Sequence, residues 1–312
     1  MKYDFNNDAD RDFPSMVVAE ICNVCNLRCT HCGCRKVIES SEYKPYFLEL
    51  DIFKRVVDEV VLHKNSFLRF TSDGEPLLHP QILDMVKYAK LKGIFPVTIN
   101  TNGLLLDNNT AMHLLESGID VIEISINAFT KETYNKFRIN ADYDTLMKNI
   151  ENIIFMKKSK NYNTKLMVST INFPGYEEEV KQFDEFWSGK ADKVIIRTFF
   201  DHQGLVDNIC EKKLKSIDRF PCPQFWKRIT VAANGWLKYC VNDWFNKTKI
   251  ADLRTGITIQ EIWNSDEYKK MRERQIKGEY DKINICGSCT DWQAMDWNYD
   301  YNFAINELTN PK

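Results

Sequence analysis

Cys25, Cys29 and Cys32 bring three thiols into the stretch "CNLRCTHC", spaced four and then three positions apart. Thiolates are the usual ligands of iron–sulfur clusters. Three of them on a four-iron cluster leave one iron without a protein ligand, and a chelating small molecule can take that place as substrate takes an open zinc position. A closed structural zinc site, with His31, Cys22 or Cys34 as fourth ligand, is the alternative chemistry. Cys222, Cys240, Cys286 and Cys289 form a second set, complete at four, which suits a zinc ribbon or a fully ligated iron–sulfur cluster equally. Of the other thiols, Cys22 lies in an apolar run and reads as core, Cys34 follows the first set closely, and Cys210 stands in the polar stretch "DNICEKK". Cys210 is a candidate catalytic hydrogen donor, and Arg197 and His202 are candidate substrate contacts.

These side chains need a scaffold. "MVVAEIC" is a short apolar run, read as a buried strand running straight into the first cysteine loop. Helical and strand-like patterns then alternate: "LDIFKRVVDEVVLH" with Asp51 as its cap, "FLRFT", "PQILDMVKYAKLKG", "FPVTINTNG", "NNTAMHLLESG", "DVIEISINA", "LMKNIENIIFMKKSK", "TKLMVSTINF", "EEEVKQFDEFWSG" and "DKVIIRTFF". Six strand–helix alternations of this pitch predict a parallel α/β fold, a barrel or an open doubly wound sheet. In a barrel the first cysteine set lies at the C-terminal mouth, where active sites are built. The alternation stops near Phe200. "RITVAANGWLKYC" predicts a β-hairpin turning at Asn234-Gly235, and "TIQEIWNSDEYKKMRERQIKG" an amphipathic helix. The expected division is a polar tail over 1–15, a barrel domain over 16–205 and a small α+β domain over 206–312.

Bulk properties narrow the function. A net charge of -2 gives no basic field for nucleic acid and no polybasic membrane patch. The polar start "MKYDFNNDADRDF" has no signal-peptide character, and no apolar run is long enough to span a bilayer. The expectation is a cytoplasmic protein, where clustered cysteines read as metal ligands rather than disulfides.

C-x3-C-x2-C directly after the first strand, worded "CNLRC", resembles the signature of the radical S-adenosylmethionine (SAM) enzymes. The resemblance continues in order. "SDGEPLLHP" resembles the segment that holds the SAM amino group, placing Gly74, Glu75 and Pro76 there, with Asp73 where glycine is commonest. "INTNG" matches the next strand end, with Asn100 and Asn102. "ISINAFTKETYNKFR" is similar to the fourth strand and its helix, which would set Ser125 and Asn127 at the ribose and Arg138 at the SAM carboxylate. The C-terminal third, with "CPQFWKRITVAANGWLKYCVND", looks like the auxiliary-cluster extension called SPASM, or its shortened twitch form, because no cysteine follows Cys289.

The resemblance implies a partial (β/α)6 barrel and two 4Fe–4S clusters per chain. Cys25, Cys29 and Cys32 would hold the SAM-binding cluster; Cys222, Cys240, Cys286 and Cys289 would hold the auxiliary one. It further implies reductive cleavage of SAM to a 5′-deoxyadenosyl radical that takes hydrogen from a substrate C–H bond, fed by a reductant such as flavodoxin or ferredoxin. Short twitch-type members point to dehydrogenation or epimerisation of a sugar- or aminocyclitol-like molecule. A peptide- or protein-modifying enzyme is the runner-up, for no leader-binding domain is evident before the barrel. A non-catalytic structural zinc protein is the alternative of a different class. The aromatic tail from Trp292 to Phe303 is expected to pack over the auxiliary cluster.

Overall fold

The computed structural model describes residues 12–71, 73–206, 218–297 and 300–309. Cys210, the candidate hydrogen donor, lies outside the described residues.

Among the described residues nine strands form one sheet: β1 (Met16–Glu20), β2 (Phe67–Thr71), β3 (Val97–Thr101), β4 (Val121–Ser125), β5 (Lys165–Asn172), β6 (Lys193–Thr198), β7 (Arg228–Val231), β8 (Trp236–Lys238) and β9 (Lys249–Asp252). Their order is β6-β5-β4-β3-β2-β1-β7-β8-β9. The first six run parallel, in registers such as Val18↔Arg69, Asn100↔Glu123 and Ser125↔Ser169. β7 adds to β1 in parallel, and β8 and β9 return antiparallel. Eleven α-helical segments accompany them: α1 (Gly33–Ile38), α2 (Leu50–Val60), α3 (Ile82–Leu91), α4 (Asn108–Glu116), α5 (Lys131–Phe137), α6 (Tyr143–Ser159), α7 (Glu177–Trp187), α8 (Gln224–Lys227), α9 (Ile259–Trp263), α10 (Asp266–Ile276) and α11 (Tyr301–Thr309). Among the described residues no helix is long and apolar enough to cross a membrane.

The expected six alternations are present, and their logic is the two-residue period of a strand. Along β1, Val17 and Ala19 join the core shared with the helices, whereas Met16 and Val18 face inward with Phe67, Val121, Met167 and Ile195. α2 answers from outside with Ile52, Phe53, Val56, Val57 and Val60, at helical spacing. Its cap is Glu49 rather than the expected Asp51, which sits in the first turn, where its charge favours the helix dipole. The hairpin forms as predicted, with Gly235 at φ 81° in the turn, a conformation open to glycine. The single helix expected near residue 270 is two, because Ser265 caps α10 through the amide of Tyr268 and ends the continuity with α9.

The aromatic tail divides. Trp292 meets Phe220 edge-on at 5.2 Å beside the second cysteine set. Tyr301, however, is buried at the other end of the sheet, its ring 3.6 Å from the Arg69 guanidinium. α11 thus covers the N-terminal ends of the strands, fixed by Asn302 to Ser15 at 2.5 Å and by Lys193 to Glu307 at 2.8 Å. Above that plug the interior is charged: Glu123 of β4 is fully buried, 3.4 Å from Arg69 and paired also with Arg197. The first cysteine loop lies at the opposite, C-terminal ends of the strands.

Candidate active site

The loop leaving β1 carries the first cysteines across those C-terminal ends. Two backbone clamps hold it. Glu75 donates its amide to the Val24 carbonyl at 2.7 Å, and Arg28 and Thr30 donate theirs to Ile139 and Phe137 at 3.0 and 2.9 Å. A side-chain clamp joins Asn102 to Asn26 at 2.8 Å. Gly74 is required for this closeness: a Cβ there would stand 2.6 Å from both the amide nitrogen and the carbonyl carbon of Val24.

The Cys29 thiol interacts electrostatically with those of Cys25 and Cys32. Burial pushes Cys29 up to about 12, against the pull of Arg138, whose Nη1 is 3.9 Å from its sulfur. Cys25 is lowered, first by a hydrogen bond from Cys34. Cys22 is buried as expected of a core thiol and donates to the Glu75 carbonyl at 3.1 Å. His31 keeps its Nδ1 without a hydrogen-bond partner among the described residues. Its Nε2 meets the Asn127 amide at 3.1 Å, and burial, then Arg138 and His202, hold the ring well below its usual range and so neutral.

Around the thiols stand the residues matched to SAM. Glu75 is buried, accepting from Thr101 Oγ1 at 2.6 Å, the Asn102 amide at 2.8 Å and the Leu77 amide at 3.1 Å. Burial raises its pKa in spite of these donors. A carboxylate has about four acceptor sites, so one is left for a ligand. Asn100 accepts from Ser125 Oγ at 2.7 Å, bringing two more of the candidates together across β3 and β4. Asn127 follows β4 in a left-handed turn, φ 62°, which asparagine tolerates better than most residues. Arg138 is buried, donates to the Ser125 carbonyl, and keeps its Nε without a hydrogen-bond partner among the described residues. An unanswered buried guanidinium N–H beside Cys29 suits an incoming carboxylate.

The second set lies in the C-terminal third. Cys222, Cys240, Cys286 and Cys289 line one cavity with Arg219 and Trp292. Burial raises all four thiols, to about 11 for Cys222 and about 12 for Cys286; others of the set raise Cys222, Cys240 and Cys286 further, and Asp291 raises Cys289. Arg219 Nε is buried without a hydrogen-bond partner among the described residues. Four thiols lining one cavity, costly as free thiolates, suit a metal centre whose positive charge stabilises the deprotonated form. Among the described residues no three His, Cys, Asp or Glu side chains are grouped as ligands of a single metal ion.

Two expected substrate contacts separate. Arg197 turns down to Glu123 in the interior. His202 stays at the mouth, its Nδ1 accepting from Trp244 Nε1 at 3.1 Å, and burial lowers it to about 4. Trp244 and Asn26 were not singled out by sequence. Trp244 packs on Gly33, where a Cβ would meet its indole Nε1 at 2.6 Å, and a glycine directly after Cys32 was the available hint.

The model of the Radical SAM superfamily matches residues 19–186, more than half of the chain, and that of an iron–sulfur cluster-binding domain, SPASM, matches residues 222–290. The chain belongs to the radical SAM superfamily, and it carries a SPASM domain C-terminal to the radical SAM domain. Iron–sulfur and SAM binding come with these two domains. The GTP 3′,8-cyclase of Chlorobaculum tepidum is 28% identical over 168 residues, 53% of this chain; the match spans about half, 49%, of that cyclase. Among solved structures, Streptococcus suis SuiB bound to S-adenosylmethionine superposes with a TM-score of 0.70 at 14% identity, over 92% of this chain and 74% of SuiB. BtrN in complex with AdoMet and 2-DOIA superposes with a TM-score of 0.58 at 18% identity, over 88% of this chain and 92% of BtrN. At such identities these two show a shared fold.

Proposed function

We propose that the chain is a radical SAM oxidoreductase acting on a C–H bond of a sugar- or aminocyclitol-like small molecule, with one 4Fe–4S cluster in each cysteine set. The observation that carries the reading is the gathering of Cys25, Cys29 and Cys32 against Glu75, Asn102 and Arg138 at the open ends of the parallel strands. With cluster and SAM bound, the site supplies an electron and a 5′-deoxyadenosyl radical that removes hydrogen from substrate.

The remaining work belongs to the chain. Cys25, Cys29 and Cys32 would hold the first cluster and leave one iron to SAM. Glu75 and the Gly74 backbone would receive the SAM amino group, Arg138 its carboxylate, and Asn100, Asn102, Ser125 and Asn127 the polar edge of the nucleoside. His202 stays neutral at the mouth, beside Trp244, and orients substrate without adding charge. Closure of the strands' other end by α11 keeps solvent from the interior, as radical chemistry requires. Cys222, Cys240, Cys286 and Cys289 would hold a fully ligated auxiliary cluster, suited to accept the second electron of a dehydrogenation. Cys210 is the candidate hydrogen donor for an epimerisation, and a small reductant protein such as flavodoxin or ferredoxin the electron source. The likeness to BtrN over 92% of its length, and its solution with 2-DOIA, support the small-molecule class. The open β6 edge, with Ile196 exposed, favours one second reading, an extended peptide substrate of the kind SuiA presents to SuiB.

The test is anaerobic turnover with deuterated aminocyclitols and amino sugars under dithionite. Deuterium passing into 5′-deoxyadenosine supports the reading. Transfer only from labelled peptides moves the chain to the second class, and a protein that takes up zinc and never cleaves SAM refutes both.

A further inference from the structure

A lysine of the hairpin is buried in the barrel. Lys238, at the end of β8, has no exposed surface. Its ammonium lies 2.7 Å from Glu20, the last residue of β1, and 3.4 Å from Asp73, and donates to the Asp243 carbonyl at 3.0 Å. Its three donors thus meet three different segments. One segment leads into the first cysteine loop. Another opens the Gly74–Glu75 turn. The third belongs to the loop that follows Cys240.

The charge count shows why the lysine matters. Glu20, Asp73 and Asp243 are buried around one ammonium. Asp243 is occupied by the Thr248 amide and hydroxyl. Burial raises both Glu20 and Asp73 above the usual carboxylate range, and the neighbouring carboxylates raise them further. Burial opposes the lysine's charge, but Asp73 and Glu20 raise it above its usual range. A buried carboxylate at position 73 would be costly without this partner. Asp73 and Lys238, both buried and 3.4 Å apart, make a pair with one member from each cysteine-bearing region.

We propose that Lys238 is a positioning residue for SAM: through Asp73 it holds the Gly74–Glu75 turn, and so ties SAM affinity to the hairpin that carries Cys240. This rests on reading Gly74 and Glu75 as SAM contacts. The turn has little freedom to absorb a shift, because the Glu75 amide is also bonded to Val24, next to Cys25.

Equilibrium dialysis of SAM against the reconstituted full chain tests it, with wild type, Lys238→Met, Asp73→Gly and the double variant as a cycle. Lys238→Met is expected to weaken SAM binding roughly tenfold, within the 5–150-fold of ordinary coupling free energies. In the Asp73→Gly background the same change is expected to alter affinity by no more than roughly twofold. Wild-type affinity in Lys238→Met, or an equal loss in both backgrounds, overturns the proposal while leaving the SAM site standing. A wild-type protein that does not bind SAM overturns the site reading and this inference with it. If Lys238→Met does not fold, Glu20→Gln/Lys238→Met, which lacks the extra unpaired charge, replaces it in the cycle under the same criteria.

Discussion

Gly74→Ala is the sharpest single perturbation of the site. The added Cβ would stand 2.6 Å from two backbone atoms of Val24, while ordinary contact begins at 3.4 Å. Neither partner is a flexible side chain, so the Asp73–Glu75 turn and the loop that carries Cys25 must part. An opening of about 1 Å at that point also stretches the bond from the Glu75 amide to Val24, now 2.7 Å. Misplacement on that scale costs about 100-fold in rate when reacting groups are held by the displaced elements. The overall fold should survive, since overpacking of this kind costs about 1–3 kcal/mol. The expected result is therefore a folded protein, by circular dichroism, that forms 5′-deoxyadenosine about 100-fold more slowly under dithionite and binds SAM weakly. A Gly74→Ala variant that cleaves SAM within a factor of about three of wild type would refute the geometry of the two loops and the assignment of Glu75 with it.

Three further outcomes follow from the interior charges and the second cysteine set. Glu123→Leu leaves Arg69 and Arg197 facing each other in a buried site, and should lower stability by about 3–5 kcal/mol in urea denaturation; a loss below about 1 kcal/mol would show that the arginines find other partners. Glu123 is held below its usual acid range of 4.5, since Arg197 and Arg69 outweigh the burial that would raise it. Its stabilising share is complete above that value and is lost as pH falls through the folded pKa. Arg197→Met should therefore move the acid-unfolding midpoint, followed by near-ultraviolet circular dichroism, to higher pH; an unchanged midpoint counts against the pairing. On the proposed reading wild type should hold about eight irons per chain and Cys240→Ala about four, with reductive SAM cleavage retained; an iron content equal to wild type would remove Cys240 from the auxiliary site.

The local chemistry of the chain was readable because it is written in short segments. Cys25, Cys29 and Cys32 follow a strand, and "SDGEP", "INTNG" and the residues from Ser125 to Arg138 each sit at the end of one. The short apolar run of β1 and helical spacing in α2 made the alternation of the barrel legible. Boundaries were less so. The break at Ser265 depends on one hydroxyl choosing an amide as its partner, and the Glu49 cap on how the chain enters α2; neither changes the hydrophobic pattern that gave the element.

Contacts between distant segments were not written in any window. Arg197 was expected to meet substrate and instead pairs with Glu123, because a carboxylate buried on β4 requires compensating charge and only the assembled sheet brings β2, β4 and β6 around it. Tyr301 was expected near the second cysteine set and lies under Arg69, since the path of the last helix is chosen by the apolar ends of Met16 and Phe67. Asp73 looked like a departure until folding placed Lys238 beside it. The residue types and spacings were enough to mark both cysteine sets as candidate metal ligands, and the resemblance they carry to name the superfamily, because ligand chemistry is local. Which charges neutralise one another inside the barrel was settled only by three-dimensional packing, because burial makes an ion's partner a matter of proximity in space rather than along the chain.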